Sequence, residues 1–182
     1  MKYGQCKSKL PSKSVNSVSV GSIRDVRKRN LKRIILGHLN INSIRNKFDL
    51  LVDQIKGNVD IMVISETKLD ESFSNGQFKI PEYALPFHLD RNQFGDGIMV
   101  FVREDIPSRV LSLNKSIESL FIELNFRKKK WLFCCTYNPN RSNISSHLDL
   151  LRRSLDLHPA EYEHCTIVGN FNTEVTQTSM KV

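Results

Sequence analysis

From residue 33 onward, short apolar runs alternate with amphipathic stretches. Ile34-Ile35-Leu36-Gly37-His38-Leu39-Asn40-Ile41 reads as a strand. Phe48, Leu51, Val52 and Ile55 then recur at helical spacing, so one face of a helix is apolar. Asn46, three residues before Asp49, supplies an N-cap pattern for that helix, and Gly57-Asn58 stops it. Asp60 to Ser65 is a second apolar strand, and the strand–helix–strand order predicts a right-handed crossover. Residues 66–90 read mostly as loop, broken by Gly76, Pro81 and Pro86. Gly97 to Val102 is a further strand. Ser119–Phe126 and Trp131–Tyr137 form a hairpin around Arg127-Lys128-Lys129-Lys130, a basic turn read as a solvated tip. Ile144, Leu148, Leu151 and Leu155 share a face of a second helix that Pro159 ends, and His164 to Gly169 is the last strand. Alternation of strands and helices of this kind predicts an α/β fold.

Residues 1–30 carry neither period. They are polar, rich in Ser, Lys and Asn, and read as a disordered leader before a domain over 31–182. The net charge of +8 changes meaning once it is divided. Residues 1–33 hold ten of the 27 Lys and Arg but only one of the 19 Asp and Glu, so the rest of the chain sets 17 cations against 18 acids. The body is near neutral, and any anion-binding groove there must be local. The run 27–33 reads as a solvated linker, with a nuclear import signal or a phosphate-binding arm as the alternatives. Cys6, Cys134, Cys135 and Cys165 fit neither a zinc site nor a disulfide framework, and a vicinal pair within a strand points to opposite faces, so a reducing compartment is expected. No apolar run approaches the roughly 20 residues that span a bilayer, and the leader lacks the apolar segment of a secretory signal. The expected location is nuclear or cytoplasmic, without a membrane.

Oxygen-bearing side chains collect where the strands end: Asn40-Ile41-Asn42, Ser65-Glu66-Thr67, Tyr137-Asn138-Pro139-Asn140 and Asn170-Phe171-Asn172. Each alone is explained by turn chemistry. Together, oxygen ligands around one carboxylate suit a hard cation such as Mg²⁺ (or Mn²⁺), which keeps several waters and bridges to phosphate.

These stretches also carry a resemblance. His38-Leu39-Asn40-Ile41-Asn42-Ser43-Ile44-Arg45-Asn46-Lys47 resembles the opening motif of the endonucleases of non-LTR, LINE-type retrotransposons of the jockey-like kind. Ser65-Glu66-Thr67-Lys68-Leu69 is similar to their metal-glutamate motif, and Thr136-Tyr137-Asn138-Pro139 to their tyrosine motif. The likeness runs from about Leu31 to the end. It implies the endonuclease/exonuclease/phosphatase superfamily and its four-layer α/β sandwich of the DNase I-like type. It also implies roles: Glu66 as metal ligand with Asn42 close to the ion, Asn40 at the scissile phosphate or orienting the metal ligands, Tyr137 hydrogen-bonded to the phosphate with Asn140 nearby, and Asn172 positioning the water. The implied reaction is a single-strand nick in DNA whose 3′-hydroxyl primes reverse transcription, by a polymerase domain that this chain does not contain.

Two departures qualify that reading. The motif Gly-Asp-Phe-Asn stands here as Gly169-Asn170-Phe171-Asn172, so an amide replaces the carboxylate that would accept the water's proton. The closing Ser-Asp-His motif is missing before Val182, so the sandwich is expected to be incomplete, lacking later strands of the second sheet. None of the five histidines stands in the setting of that motif. The sequence thus predicts a Mg²⁺-dependent DNA endonuclease domain, impaired and truncated. The alternatives are an inactive remnant or nucleic-acid-binding fragment, and a phosphatase of the same superfamily, which Asn138-Pro139-Asn140 fits less well. The oligomeric state is left open.

Overall fold

The structure, a computed structural model, describes residues 22–91, 97–139, 143–158 and 161–173. It contains α1 (Ile23–Arg29), β1 (Leu36–Asn40), α2 (Phe48–Ile55), β2 (Ile61–Ser65), β3 (Phe87–Leu89), β4 (Ile98–Val102), β5 (Ser108–Asn114), β6 (Ser119–Phe126), β7 (Lys129–Tyr137), α3 (Ile144–Leu155) and β8 (His164–Asn170). Two four-stranded sheets form, in the orders β1-β2-β4-β3 and β5-β6-β7-β8. The β1–β2 and β7–β8 pairs are parallel, each joined through a helix, and the remaining pairs are antiparallel.

The period of two along the central strands creates the layers. Ile61 and Val63 of β2 and Ile98, Val100 and Val102 of β4 meet Leu120, Ile122, Leu124, Phe133 and Cys135 from β6 and β7 in a core between the sheets. The alternate residues Met62, Ile64, Met99 and Phe101 face Leu51 and Ile55 of α2. Phe121, Leu132 and Cys134 face Leu151 of α3 on the far side. The order is therefore helix, sheet, sheet, helix. Strands buried on both faces need apolar residues at every position, which is why β2 and β4 read as unbroken apolar runs. Cys134 and Cys135 fall into different cores, as neighbours on a strand must, and burial pushes both thiols up. The sandwich is incomplete. β1 and β8 each lie at one end of a sheet, and Leu36, Leu39 and Ile167 on them are exposed.

Three local features differ from the sequence pattern. The pattern predicts no element up to residue 30, yet α1 lies there. A reciprocal capping box between Ser22 and Asp25 starts this helix, and it buries no residue. Its Ile23, partly buried, packs against the core that faces α2, and polar contacts supply the rest of the attachment. Arg27 Nη2 lies 2.6 Å from Oδ2 of the fully buried Asp60, while Arg27 Nε and Nη1 donate to the carbonyls of Asn58 (3.1 Å) and Arg33 (3.2 Å). A helix docked through one isoleucine and one guanidinium leaves no apolar period to read. Residues 1–21 lie outside the described residues. The second difference is at α2, whose N-cap is Lys47, without a side-chain cap, rather than Asn46. A turn from Lys47 N to the carbonyl of buried Ile44 fixes the helix start one residue later. The third is two additional strands, β3 in the stretch read as loop and β5 after Pro107. Among the described residues no helix is long and apolar enough to cross a membrane.

Candidate active site

Parallel pairing puts the C-terminal ends of β1 and β2 side by side, with Asn40 opposite Ser65, and those of β7 and β8 likewise, with Tyr137 opposite Asn170. The polar clusters of four strands therefore collect at one end of the sandwich. At their centre is Glu66. Its Oε1 accepts from Asn40 Nδ2 at 2.6 Å and from the Tyr137 hydroxyl at 3.0 Å. That second bond crosses from one sheet to the other. Oε2 of Glu66 has no hydrogen-bond partner among the described residues. A half-buried carboxylate steadied on one oxygen and open on the other is the arrangement that a hard cation fits, with water and phosphate completing the shell. Among the described residues no group of three His, Cys, Asp or Glu side chains is placed to hold a metal ion, so the ligand set here would draw on amide oxygens and water beside Glu66.

Asn42 is placed differently from Asn40. Its Oδ1 accepts from the Lys68 ammonium at 2.5 Å, and its backbone N–H donates to Asn40 Oδ1 at 3.2 Å. Lys47 Nζ caps the same turn through the carbonyls of Ile41 (2.5 Å) and Asn42 (2.9 Å). Two ammonium groups thus meet on the turn after β1, a local positive field that a near-neutral body would otherwise lack. The sequence pattern gives neither lysine a role. Both sit inside the motifs that carry the resemblance, but only the fold shows what their long side chains reach.

On the other sheet, Asn170 and Asn172 form one clasp with Asn138. Asn138 is 3% exposed. Its N–H donates to the Asn170 carbonyl (2.9 Å), its Nδ2 to the Phe171 carbonyl (3.3 Å), and its own carbonyl accepts from Asn172 Nδ2 (2.8 Å). Asn170 Oδ1 accepts from the N–H of Asn172 at 2.9 Å, an Asx turn that a carboxylate would make equally well. No hydrogen bond joins Asn170 or Asn172 to Glu66 among the described residues; the link runs through Tyr137. The tyrosine motif by itself assigns Asn138 no role, and the clasp gives it a structural one. Asn140 lies outside the described residues.

The site is built from left-handed backbone. Asn42, Ser43, Glu66, Lys68 and Asn172 have φ of 47°, 79°, 56°, 54° and 48°. Asparagine tolerates this region, but for a glutamate it costs on the order of 1–2 kcal/mol. Gly169 has a steric role. A Cβ there would collide with the Thr136 carbonyl, so only glycine lets β8 approach β7 where the clasp begins.

The histidines have other duties. His38 meets Ser65 Oγ (3.3 Å), His147 meets Thr136 Oγ1 (3.0 Å), His158 meets Ser112 Oγ (3.3 Å), His88 binds Asp90 and Asn75, and His164 packs on Trp131. Burial lowers the pKa of His38, His147 and His158. Among the described residues no histidine hydrogen-bonds Glu66.

No protein-family profile matches this sequence, and no curated protein does. Solved structures do match in shape. D. rerio TDP2 complexed with single-strand DNA product shares 12% identity and a TM-score of 0.55, over 78% of this chain and 61% of that one. The 3′ phosphatase NExo from Neisseria, bound to a product DNA hairpin, shares 16% and 0.52, over 77% and 58%. An AP endonuclease from Archaeoglobus fulgidus shares 16% and 0.51, over 77% and 58%. The fold is therefore DNase I-like. The chain spans about three-fifths of the length of these structures, in keeping with the unfinished sheets.

Proposed function

We propose that this chain is the first part of a DNA endonuclease domain of the retrotransposon type, which hydrolyses a phosphodiester bond to nick one strand. The observation that carries the reading is the meeting of Asn40, Glu66 and Tyr137 at one end of a DNase I-like sandwich. Its neighbours in shape include enzymes solved with DNA product, and the motifs around these three residues resemble those of LINE-type endonucleases.

Glu66 Oε2 would hold Mg²⁺ (or Mn²⁺), with the amides of Asn40 and Asn42 at hand. When bound, such an ion polarises the phosphoryl oxygen and stabilises the leaving oxygen. The protein's own contribution is orientation and charge. Asn40 and Tyr137 fix the carboxylate's rotamer, so the ligand is preorganised. Lys47 and Lys68 attract the phosphate backbone. The Tyr137 hydroxyl, whose one proton goes to Glu66 here, would turn that proton to a non-bridging phosphate oxygen when the substrate binds. Asn170 and Asn172 shape the pocket for the attacking water, but the Asn170 amide cannot accept its proton. General-base help is worth about 10²–10⁴-fold, so turnover is expected to be low.

The test is relaxation of supercoiled plasmid with Mg²⁺. Slow nicking by the native chain that vanishes in Glu66→Gln supports the reading. Equal nicking by both proteins rejects it. A second reading, an inactive remnant that binds nucleic acid, is favoured by Asn170 and by the lack of a histidine on Glu66. No nicking even in Asn170→Asp would select it. A polymerase domain further along a parent polyprotein, which would use the nick's 3′-hydroxyl as primer, belongs to the first reading.

A further inference from the structure

The two basic runs of the sequence, 27–33 and 127–130, are far apart in the chain but meet in the fold. Arg127 Nη2 donates to the Lys32 carbonyl at 2.8 Å. Lys129 and Lys130 are neutralised by Glu163 and Glu161. Lys32, Arg33, Arg127 and Lys128 are exposed and make no ion pair among the described residues. The first three border a cleft of about 760 Å³ that opens between the sheets, and Lys128 follows Arg127 on the exposed turn beside it. Its walls include the aromatic rings of Phe126, Trp131 and Phe133; Lys32, Arg33 and Arg127 line it, and no acidic side chain does. The Trp131 indole N–H is buried without a hydrogen-bond partner among the described residues, a donor left to be satisfied. The cleft's residues on β7, Trp131 and Phe133, stand six and four residues before Tyr137, so roughly 14–20 Å of strand separates the cleft from the Tyr137–Glu66 end.

We propose that this end of the sandwich is a second nucleic-acid site, which takes single strands. Phosphates lie on Lys32, Arg33, Arg127 and Lys128, and an unstacked base enters the aromatic cleft. Cations along a rim with aromatic faces behind them are the elements of sequence-tolerant single-strand binding. Charge complementarity selects this occupant over an apolar one. A strand held here runs away from the cleavage site, so the surface would tether nucleic acid rather than present it for cutting. The proposal does not rest on the nuclease reading.

Trp131 is the only tryptophan, so the site reports on itself. Fluorescein-labelled oligo-dT and a duplex of equal length are titrated into the full chain in EDTA, following anisotropy and tryptophan emission. The expected result is saturable oligo-dT binding with quenched Trp131 emission, and weaker binding of the duplex without quenching. Lys32→Glu/Arg33→Glu/Lys128→Glu should weaken oligo-dT binding about tenfold or more and flatten its salt dependence by about two units of slope. The Gln versions of the same three positions should follow in the same direction, which guards against misfolding of the reversed-charge protein. Glu66→Gln, and Lys2, Lys7, Lys9 and Lys13 changed to Gln, should leave the quenching intact. Binding without quenching, an unchanged salt slope in the triple variants, or emission that shifts with protein concentration in the absence of DNA (a second copy in the cleft) would each overturn the proposal.

Discussion

Replacing Arg27 with alanine tests whether the leader's last turns belong to the domain. Asp60 is fully buried and takes a 2.6 Å contact from Arg27 Nη2, a 2.7 Å hydrogen bond from the N–H of Ile35 and a 2.7 Å contact from Arg103 Nη1. The substitution removes one of two cations from a buried carboxylate and two hydrogen bonds to carbonyls. Breaking a buried ion pair from one side costs about 3–5 kcal/mol. Arg103 stays in place, and the Arg27 side chain is 14% exposed, so water enters the vacated volume. The expected loss is therefore at or just below the lower end of that range, about 2–3 kcal/mol. For a domain of this size that lowers Tm by about 4–12 °C. The assay is thermal and urea unfolding followed by far-ultraviolet circular dichroism and Trp131 emission. Arg29→Ala, on the same helix but exposed, is the control and should change stability by less than about 0.5 kcal/mol. Equal behaviour of the two variants would refute the docking of α1 and return the run 27–33 to the solvated linker read from the sequence.

Other outcomes follow from single contacts. Gly169→Ala should fail to fold or lose several °C in Tm, because its Cβ meets backbone, whereas Gly37→Ala should be mild, because its Cβ meets only the flexible sulfur of Met62; melting curves of the two separate them. Arg109, helped by Tyr162 and Asn125, holds the Glu123 carboxyl down to about 2 from its ordinary 4.5. A depressed folded value means that this stabilisation is complete above pH 4.5 and fades as pH falls toward 2. Solvent at the exposed Arg109 limits it to about 2 kcal/mol, so the stability gap between native protein and Glu123→Gln should close over that range in urea titrations. Asn170→Asp should raise plasmid nicking by about 10-fold or more while shifting Tm by under about 2 °C, since the Asx turn persists; an unchanged rate would remove Asn170 from the account of low turnover.

Much of the fold is legible because its central strands are buried on both sides. β2, β4, β6 and β7 announce themselves as apolar runs, and α2 as an apolar face; on α3 the buried residues are His147, Leu151 and Ser154, and Leu148 of the apolar set read from the sequence is exposed. β3 escapes the pattern because it is three residues long and follows Pro86. β5 escapes it because it is largely exposed and its register shifts between Val110 and Ser112. α1 leaves no period because a salt bridge and a single residue, Ile23, rather than an apolar stripe attach it. At the site, the strand-end positions of Asn40, Glu66, Tyr137, Asn170 and Asn172 can be read from motif and period. The ammonium of Lys68 on Asn42, and the clasp made by Asn138, depend on which loops face each other, which a linear pattern does not contain.

The left-handed backbone at Glu66 has a consequence for any campaign of variants. Glycine would relax that bend at the expense of the two hydrogen bonds that Oε1 accepts, so a library sorted only for yield or heat tolerance has little reason to keep the acid. Such a campaign needs a readout of the proposed plasmid cutting alongside the sort, or it will improve the scaffold while erasing the carboxylate on which that proposal rests.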